Sequence, residues 1–205
     1  MKILIAILML VFTTTTVYAA GKTAAKIPDI SLEELTKRYS KDLENISPEQ
    51  RAVLNQIAKL ASGFDLSYTA AAIAWQESNL GKYPVNLTDP SCGVFHKLVV
   101  PYLKARERKV TSFTKNQACS ELISDLELST SIMIEDLEYW KLSHKRRGAA
   151  ANELLNLAIR SYNAGYKYKS NDAKNYEKSV KARIKALQKD TQFQLLINGL
   201  ASSKK

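Results

Sequence analysis

The spacing of apolar residues constrains the fold of this chain more than any other feature. Across residues 48–190, apolar residues recur at intervals of three and four rather than two, which is the period of helices and not of strands. No Gly-rich or Pro-rich linker and no internal repeat divides this stretch. We therefore predict an all-α fold with one domain over residues 48–190. A polar segment, 20–47, and a tail, 191–205, are expected to be peripheral to it.

Capping residues predict where several helices begin and end. In Ser47-Pro48-Glu49-Gln50, the serine suits a cap, the proline suits the first helical position, and the glutamine lies three residues after the cap. A second helix is predicted over 67–79, and its body carries no charge, so we expect it to be buried nearly all round. The other helices are predicted over 32–39, 121–142, 149–162 and 172–187.

The first residues resemble an export signal. One positive charge at Lys2 precedes an apolar run over 3–12 that is too short to span a bilayer, and Val17-Tyr18-Ala19 places small residues where a signal peptidase cuts. We predict a signal peptide over residues 1–19 and a periplasmic or secreted protein. An uncleaved anchor is the alternative, but no other apolar run of membrane length exists, so no stable transmembrane anchor is expected.

The chain is strongly basic. Its formal net charge is +10, and removal of residues 1–19 takes away Lys2 and no acid, which leaves +9. Such a balance favours an anionic partner. Outside the cytoplasm, the candidates are cell wall, lipopolysaccharide and phospholipid headgroups rather than nucleic acid. Charge alone does not exclude the simpler explanation that these residues only keep the protein soluble.

The two cysteines, Cys92 and Cys119, form an even pair in one small domain. In an oxidising compartment such a pair favours a disulfide. A zinc site built from these cysteines with His96 and His144 is the alternative, but the four residues lack the paired spacing of structural zinc sites. We expect a disulfide, no metal and no organic cofactor.

A polar group at the end of the apolar helix suggests acid chemistry. Gln76-Glu77-Ser78-Asn79 is followed by Leu80-Gly81, which predicts a left-handed helix stop. A carboxyl group on a buried helix loses hydration, and near the helix C-terminus it meets the negative end of the macrodipole, so both effects raise its pKa. Burial logic alone does not separate this acid role for Glu77 from that of an exposed glutamate at a helix end.

Three stretches resemble the soluble lytic transglycosylases, whose domain belongs to the lysozyme-like group, over roughly residues 48–188. The first matches the family's Glu-Ser motif, the second its Tyr-Asn-Ala-Gly signature, and the third its closing Tyr motif. They read Ala74-Trp75-Gln76-Glu77-Ser78-Asn79-Leu80-Gly81, then Ala158-Ile159-Arg160-Ser161-Tyr162-Asn163-Ala164-Gly165, then a helix running from Tyr176 to Val180. The resemblance implies a lysozyme-like catalytic domain.

The resemblance also implies roles for individual residues. Glu77 would be the sole catalytic carboxylate, acting as acid and then as base. Where the family carries Gly-Leu-Met-Gln, this chain reads Gly93-Val94-Phe95-His96, so a side chain type that titrates near neutrality replaces an amide. The residues expected to orient Glu77 or bind sugar are Ser78, Tyr162, Asn163 and Tyr176, with Gly93, Phe95 and His96 on the opposite wall.

The implied reaction breaks the bond between N-acetylmuramic acid and N-acetylglucosamine in peptidoglycan glycan strands and leaves a 1,6-anhydro end. A muramidase that hydrolyses the same bond would need a second carboxylate. Asp65, Asp89 and Asp172 are the nearest acids in sequence, but they have the positions of helix-start or turn residues, and we assign none of them catalysis. A non-catalytic wall-binding or secretion-assembly factor is a further alternative, and a cell-envelope secretion apparatus is a candidate partner.

Overall fold

The computed structural model describes residues 30–88 and 90–202. The predicted signal peptide, residues 1–19, and Asp89 lie outside the described residues. Within them the chain is mostly helical, as the all-α prediction requires. The elements are α1 (Leu32–Glu44), α2 (Pro48–Leu60), α3 (Ser67–Ser78), β1 (Val85–Asn86), β2 (Ser91–Cys92), β3 (Lys97–Leu98), α4 (Val99–Ala105), α5 (Ser112–Ser124), α6 (Leu126–Arg146), α7 (Leu154–Ala164), α8 (Asn171–Leu187) and α9 (Thr191–Ser202).

Helix α3 lies at the centre of the core. Its residues from Ala70 to Ala74 are 0% exposed, and it packs between α2 and α8. Alanines dominate this segment, and their small side chains let neighbouring helix backbones approach closely. The prediction that this helix is buried nearly all round is confirmed, and a residue at its end is thereby held in a rigid setting.

The caps predicted at the two ends of this region are present. Ser47 and Gln50 form the reciprocal capping box of α2, with bonds of 3.0 and 3.2 Å. The side-chain amide of Gln50 also donates to the carbonyl of Asn79 at 2.8 Å. Asn79, Leu80 and Gly81 all have positive φ, at 53°, 59° and 84°. This left-handed turn ends α3, as predicted, and the start of α2 buttresses it.

Two helix predictions need correction. The single helix expected over 121–142 is two helices, because Asp125 is extended with φ −109° and ψ 95°. The Asp125 amide bonds back to Glu121, while its carboxylate accepts the amide of Leu128 at 2.8 Å. One residue therefore ends α5 and caps α6. Helix α7 begins at Leu154 rather than at 149, after a 3-10 turn over Ala151–Glu153.

The expectation that both ends of the chain are peripheral is wrong for the residues described. Helix α1 extends to Glu44 and packs along α8 with Leu43 buried. Helix α9 occupies much of the expected tail, and its Phe193 is fully buried with its ring centroid 5.3 Å from that of Tyr68. Both helices bury only a few large side chains, so their sequences showed little sign of their contribution to the core.

A small antiparallel sheet lies beside the helices. Its strand order is β1-β2-β3, with Val85 opposite Cys92 and Cys92 opposite Lys97. The predicted disulfide is present: Cys92 on β2 is bonded to Cys119 on α5 with a Cα–Cα distance of 5.2 Å. Because both sulfurs are used in this bond, neither thiolate remains for the alternative zinc site. Among the described helices, none is long and apolar enough to cross a bilayer.

Candidate active site

Glu77 lies in the last turn of α3, where the buried helix meets the surface. Its side chain is 17% exposed, so the carboxyl group is largely desolvated and yet accessible. Two cavities meet at this group. The His96 cavity, of about 250 Å³, includes Glu77, His96 and Asp136 in its lining. The Arg183 cavity, of about 460 Å³, includes Glu77, Tyr83 and Arg183. Together they form a cleft with Glu77 between its two parts.

Tyr176 holds one oxygen of the Glu77 carboxyl group. Its hydroxyl donates a short hydrogen bond to Glu77 Oε1 from α8, which is 99 residues away in sequence. The tyrosine is itself buried, and burial together with the negative charge of Glu77 raises its pKa well above the usual range. Tyr176 therefore stays protonated and remains a donor, and its contact is with Glu77 rather than with open space in the cleft.

His96 faces the other oxygen of the same carboxyl group. Its Nδ1 lies 3.7 Å from Glu77 Oε2, and its Nε2 lies 2.7 Å from the carbonyl oxygen of Tyr83. A carbonyl only accepts, so Nε2 carries the proton and Nδ1 of the neutral ring presents its lone pair to Glu77. His96 has a positive φ of 46°. The turn between β2 and β3 thus aims this ring at the carboxyl group.

The environment of Glu77 favours its protonated form. Burial raises the pKa of the Glu77 carboxyl group above its usual range, and this effect outweighs three that lower it. Those are the hydrogen bond from Tyr176, the charge that the His96 ring carries when it is protonated, and the positive charge of Arg183. A carboxyl group with a raised pKa keeps its proton to higher pH than an ordinary glutamate, which suits general acid chemistry.

The Tyr-Asn-Ala-Gly stretch reaches the same cleft from the end of α7. Tyr162 donates to the carbonyl oxygen of Phe95 at 2.9 Å, which fixes the wall that carries His96. Burial and the charge of Glu77 raise the pKa of Tyr162 well above its usual range. Asn163 is exposed, and Asn163, Tyr162 and Phe95 all line the His96 cavity. These residues were expected at the site, and the fold brings them together there.

Two residues expected to bind sugar do not reach the cleft. Ser78 is 0% exposed; its hydroxyl donates to the carbonyl of Val94 at 2.7 Å and accepts the amide of Gly81 at 2.8 Å. Gly93 is buried against α5, and a Cβ added to it would lie 2.5 Å from the carbonyl oxygen of Leu122. Both residues therefore position the turn that carries His96, and neither lines the cleft.

Three charged residues of the cleft were not predicted from the sequence. Lys97 on β3 and Asp136 on α6 form an ion pair of 2.5 Å in the wall of the His96 cavity. Arg183 donates to Gln76 Oε1 at 2.6 Å, and its guanidinium lies 3.8 Å from the centre of the Tyr39 ring. Arg183 could have been found, because it continues the face of α8 that begins with Tyr176 at helical spacing. Nothing in the sequence singles out Asp136.

No protein-family model, no curated protein and no solved structure matches this chain.

Proposed function

We propose that this protein is a peptidoglycan lytic transglycosylase with a lysozyme-like catalytic domain. One observation carries the proposal: Glu77 is a largely buried carboxyl group with a raised pKa, and it lies between two cavities that could receive the two sugars of a glycosidic bond. Further support comes from the convergence of the three stretches that resemble this family. Tyr162 and Tyr176 both lie close enough to Glu77 for its charge to affect their pKa.

In the first step Glu77 acts as the acid. Its proton passes to the oxygen of the β-1,4 bond between N-acetylmuramic acid and N-acetylglucosamine, the C1–O bond breaks, and the bonding electrons stay with the departing oxygen. The sugar's own N-acetyl group stabilises the positive charge that develops at C1. The ionised Glu77 that remains is stabilised by the hydrogen bond from Tyr176 and by the positive charge of Arg183.

In the second step Glu77 acts as the base. Its carboxylate takes the proton of the C6 hydroxyl of the muramic acid residue, and O6 forms a bond to C1. The product end is 1,6-anhydro-N-acetylmuramic acid, Glu77 is protonated again, and no water is consumed. Tyr176 hydrogen-bonds one of the two oxygens of the Glu77 carboxylate and so holds the carboxylate in place between the steps. The second carboxylate oxygen takes no part in this bond.

A muramidase is the second candidate, and Asp136 is the observation that favours it. This carboxyl group lines the same cavity as Glu77, as a water-activating residue of a hydrolase would. Its 2.5 Å ion pair with Lys97 argues for the lyase instead, because the ammonium group occupies a carboxylate oxygen that would otherwise bind the attacking water. We therefore rank hydrolysis second.

We further propose that the protein acts in the periplasm or after secretion, on glycan strands of the cell wall. The disulfide is compatible with an oxidising compartment, and the signal peptide predicted from the sequence supports the same location. A secretion apparatus of the cell envelope remains a candidate partner that would direct such cleavage to one place.

Digestion of purified peptidoglycan tests the reaction. Replacement Glu77→Gln keeps the volume of the side chain but cannot deliver a proton, so we expect cleavage to fall about 100-fold or more while binding to peptidoglycan persists. The matched control Glu153→Gln changes an exposed glutamate that lines neither cavity, and it should cleave like the parent. Wild-type cleavage by Glu77→Gln would place the active site elsewhere.

Product analysis in heavy-oxygen water separates the two candidates. The lyase releases muropeptides with anhydro ends that contain no solvent oxygen and are lighter by one water than hydrolytic products. Reducing ends that carry solvent oxygen would establish hydrolysis. Replacement Asp136→Asn gives an independent check, since about a 100-fold loss is expected if Asp136 is the base of a hydrolase and a much smaller loss if it only lines the cleft.

A further inference from the structure

Two exposed tyrosines and a tryptophan form an aromatic surface near the candidate active site. Tyr139 is 56% exposed and Tyr166 is 68% exposed. The ring centroid of Trp140 lies 5.1 Å from that of Tyr139 and 5.2 Å from that of Tyr166, both at steep angles. We call Tyr139, Trp140 and Tyr166 the aromatic platform. Single exposed aromatic residues are common, but a contiguous group of them marks a binding surface.

The aromatic platform begins three residues away from two residues that line the His96 cavity. On α6, Asp136 lines the cavity and Tyr139 follows three residues later, on the same helical face. On the neighbouring chain segment, Asn163 lines the cavity and Tyr166 again follows three residues later, a stretch that spans at most about 11 Å. The two paths end at the same place, because the hydroxyls of Tyr139 and Tyr166 lie 3.5 Å apart.

The platform is built on a firm base. Trp140 packs against the hydrophobic core. Beneath it, His144 is buried, its Nε2 lies 2.9 Å from the hydroxyl oxygen of Ser161, and its ring centroid lies 4.5 Å from that of Tyr168. Aromatic side chains held in this way lose little conformational entropy when a ligand binds. The surface is therefore preformed for binding.

The rim of the platform is cationic. The guanidinium of Arg147 lies 5.3 Å from the centre of the Tyr166 ring, and the positive charges of Arg146 and Arg147 both act on Tyr139. Peptidoglycan strands carry carboxylates on the peptides attached to their muramic acid residues, so this charge is complementary to them. A surface that combines aromatic rings with cations suits an anionic glycan better than an apolar protein segment.

We propose that the aromatic platform is a sugar subsite that extends the cleft and binds the glycan strand beyond the sugars next to Glu77. The C–H groups of a pyranose ring form an apolar face that packs on aromatic rings, while tyrosine hydroxyls bond its polar edge. The hydroxyls of Tyr139 and Tyr166 lie 3.5 Å apart, so both point to one place. This inference rests on the proposed function for its substrate, a strand of N-acetylated sugars.

Calorimetric titration with N-acetylglucosamine oligomers tests the subsite. In the Glu77→Gln background, the hexamer should bind more tightly than the trimer. The double replacement Tyr139→Ala/Tyr166→Ala should weaken hexamer binding about tenfold, as expected when two aromatic stacking contacts are lost. Tyr139→Phe/Tyr166→Phe keeps the rings and should retain most of the affinity. The control Phe113→Ala removes an exposed aromatic ring on α5 and should leave the affinity for the trimer and for the hexamer unchanged.

The outcomes separate this proposal from the proposed function. The subsite proposal would be overturned if the Ala double variant bound the hexamer within twofold of its parent. It would also be overturned if the Phe double variant lost as much affinity as the Ala double variant, or if the hexamer showed no measurable binding. If wild-type protein cleaves peptidoglycan in that case, the lyase proposal still stands. If cleavage is absent but the Ala variant weakens hexamer binding as expected, the subsite stands and the catalytic proposal fails.

Discussion

Removal of the Cys92–Cys119 disulfide should destabilise the protein by about 3.5 kcal/mol. The bond joins residues separated by 27 positions. In the chain-entropy model, a cross-link over a loop of this length removes ~12 cal/mol/K from the unfolded chain, and that entropy corresponds to about 3.5 kcal/mol at 25 °C. Such a loss is a large part of the stability of an ordinary domain, which is ~5–15 kcal/mol.

Urea unfolding followed by circular dichroism measures this loss. The double variant Cys92→Ala/Cys119→Ala avoids leaving a free thiol, and with a slope of ~2 kcal/mol per molar its midpoint should fall by about 2 M urea. Wild-type protein treated with a reductant should lose similar stability, whereas the double variant should not respond to the reductant. A double variant within ~1 kcal/mol of wild type would refute the reasoning, because the loop would then not be free in the unfolded chain.

The same variant should affect substrate binding more than chemistry. The disulfide fixes β2 to α5, immediately before the turn that carries His96. Glu77 and Tyr176 belong to α3 and α8, which the bond does not link. We therefore expect KM for peptidoglycan to rise while kcat changes little. A large fall in kcat with unchanged KM would show that the turn contributes directly to the reacting geometry.

Three further predictions concern protonation and the last helix. Tyr176→Phe removes a donor that lowers the pKa of Glu77, so that pKa should rise further and the alkaline limb of the pH–activity profile should move to higher pH. Because the pKa of Glu77 is raised in the folded state, its contribution to stability is present below the usual glutamate range and lost at higher pH. Glu77→Gln should therefore gain stability relative to wild type as urea unfolding is repeated at increasing pH. Phe193→Ala should cost about 3–5 kcal/mol in unfolding free energy, whereas Leu195→Ala, at an exposed position of α9, should change it little.

Local sequence patterns predicted the part of the fold that supports Glu77. The charge-free body of α3, the capping box at Ser47 and Gln50, and the left-handed stop after Ser78 are all determined by residues close in sequence. Helix α4, the first part of α5 and the short strands were not predicted, because they are short or have little apolar periodicity of their own. Asp125 divided an expected helix because a short polar side chain can end one helix and cap the next.

The residues of the candidate site that belong to a motif could be predicted from the sequence. Contacts between residues that are distant in sequence could not. The bond between Tyr176 and Glu77 was expected only from the resemblance to a family, since no local rule brings together residues 99 positions apart. Lys97 and Asp136 are 39 positions apart, and each alone has the pattern of a solvent-exposed charge. Ser78 and Gly93 were assigned to sugar contacts because a motif identifies residues near a reaction but does not say which of them are buried.

The opposing influences on Glu77 fit the double role that the proposed cycle gives it. If burial alone set its pKa, the carboxyl group would hold its proton at higher pH but would be a poor donor, because nothing would stabilise the ionised form left after transfer. Tyr176, His96 and Arg183 each stabilise the ionised form and so limit the rise. Because Tyr176 and Arg183 lie on one face of α8, the position of that helix against α3 sets this balance. Helix α1 contributes to it, since it packs on α8 and places the Tyr39 ring against the Arg183 guanidinium. Loss of the ring in Tyr39→Ala should therefore shift the pH profile of cleavage without altering any group that touches substrate, and an unchanged profile would show that Tyr39 does not help to position Arg183.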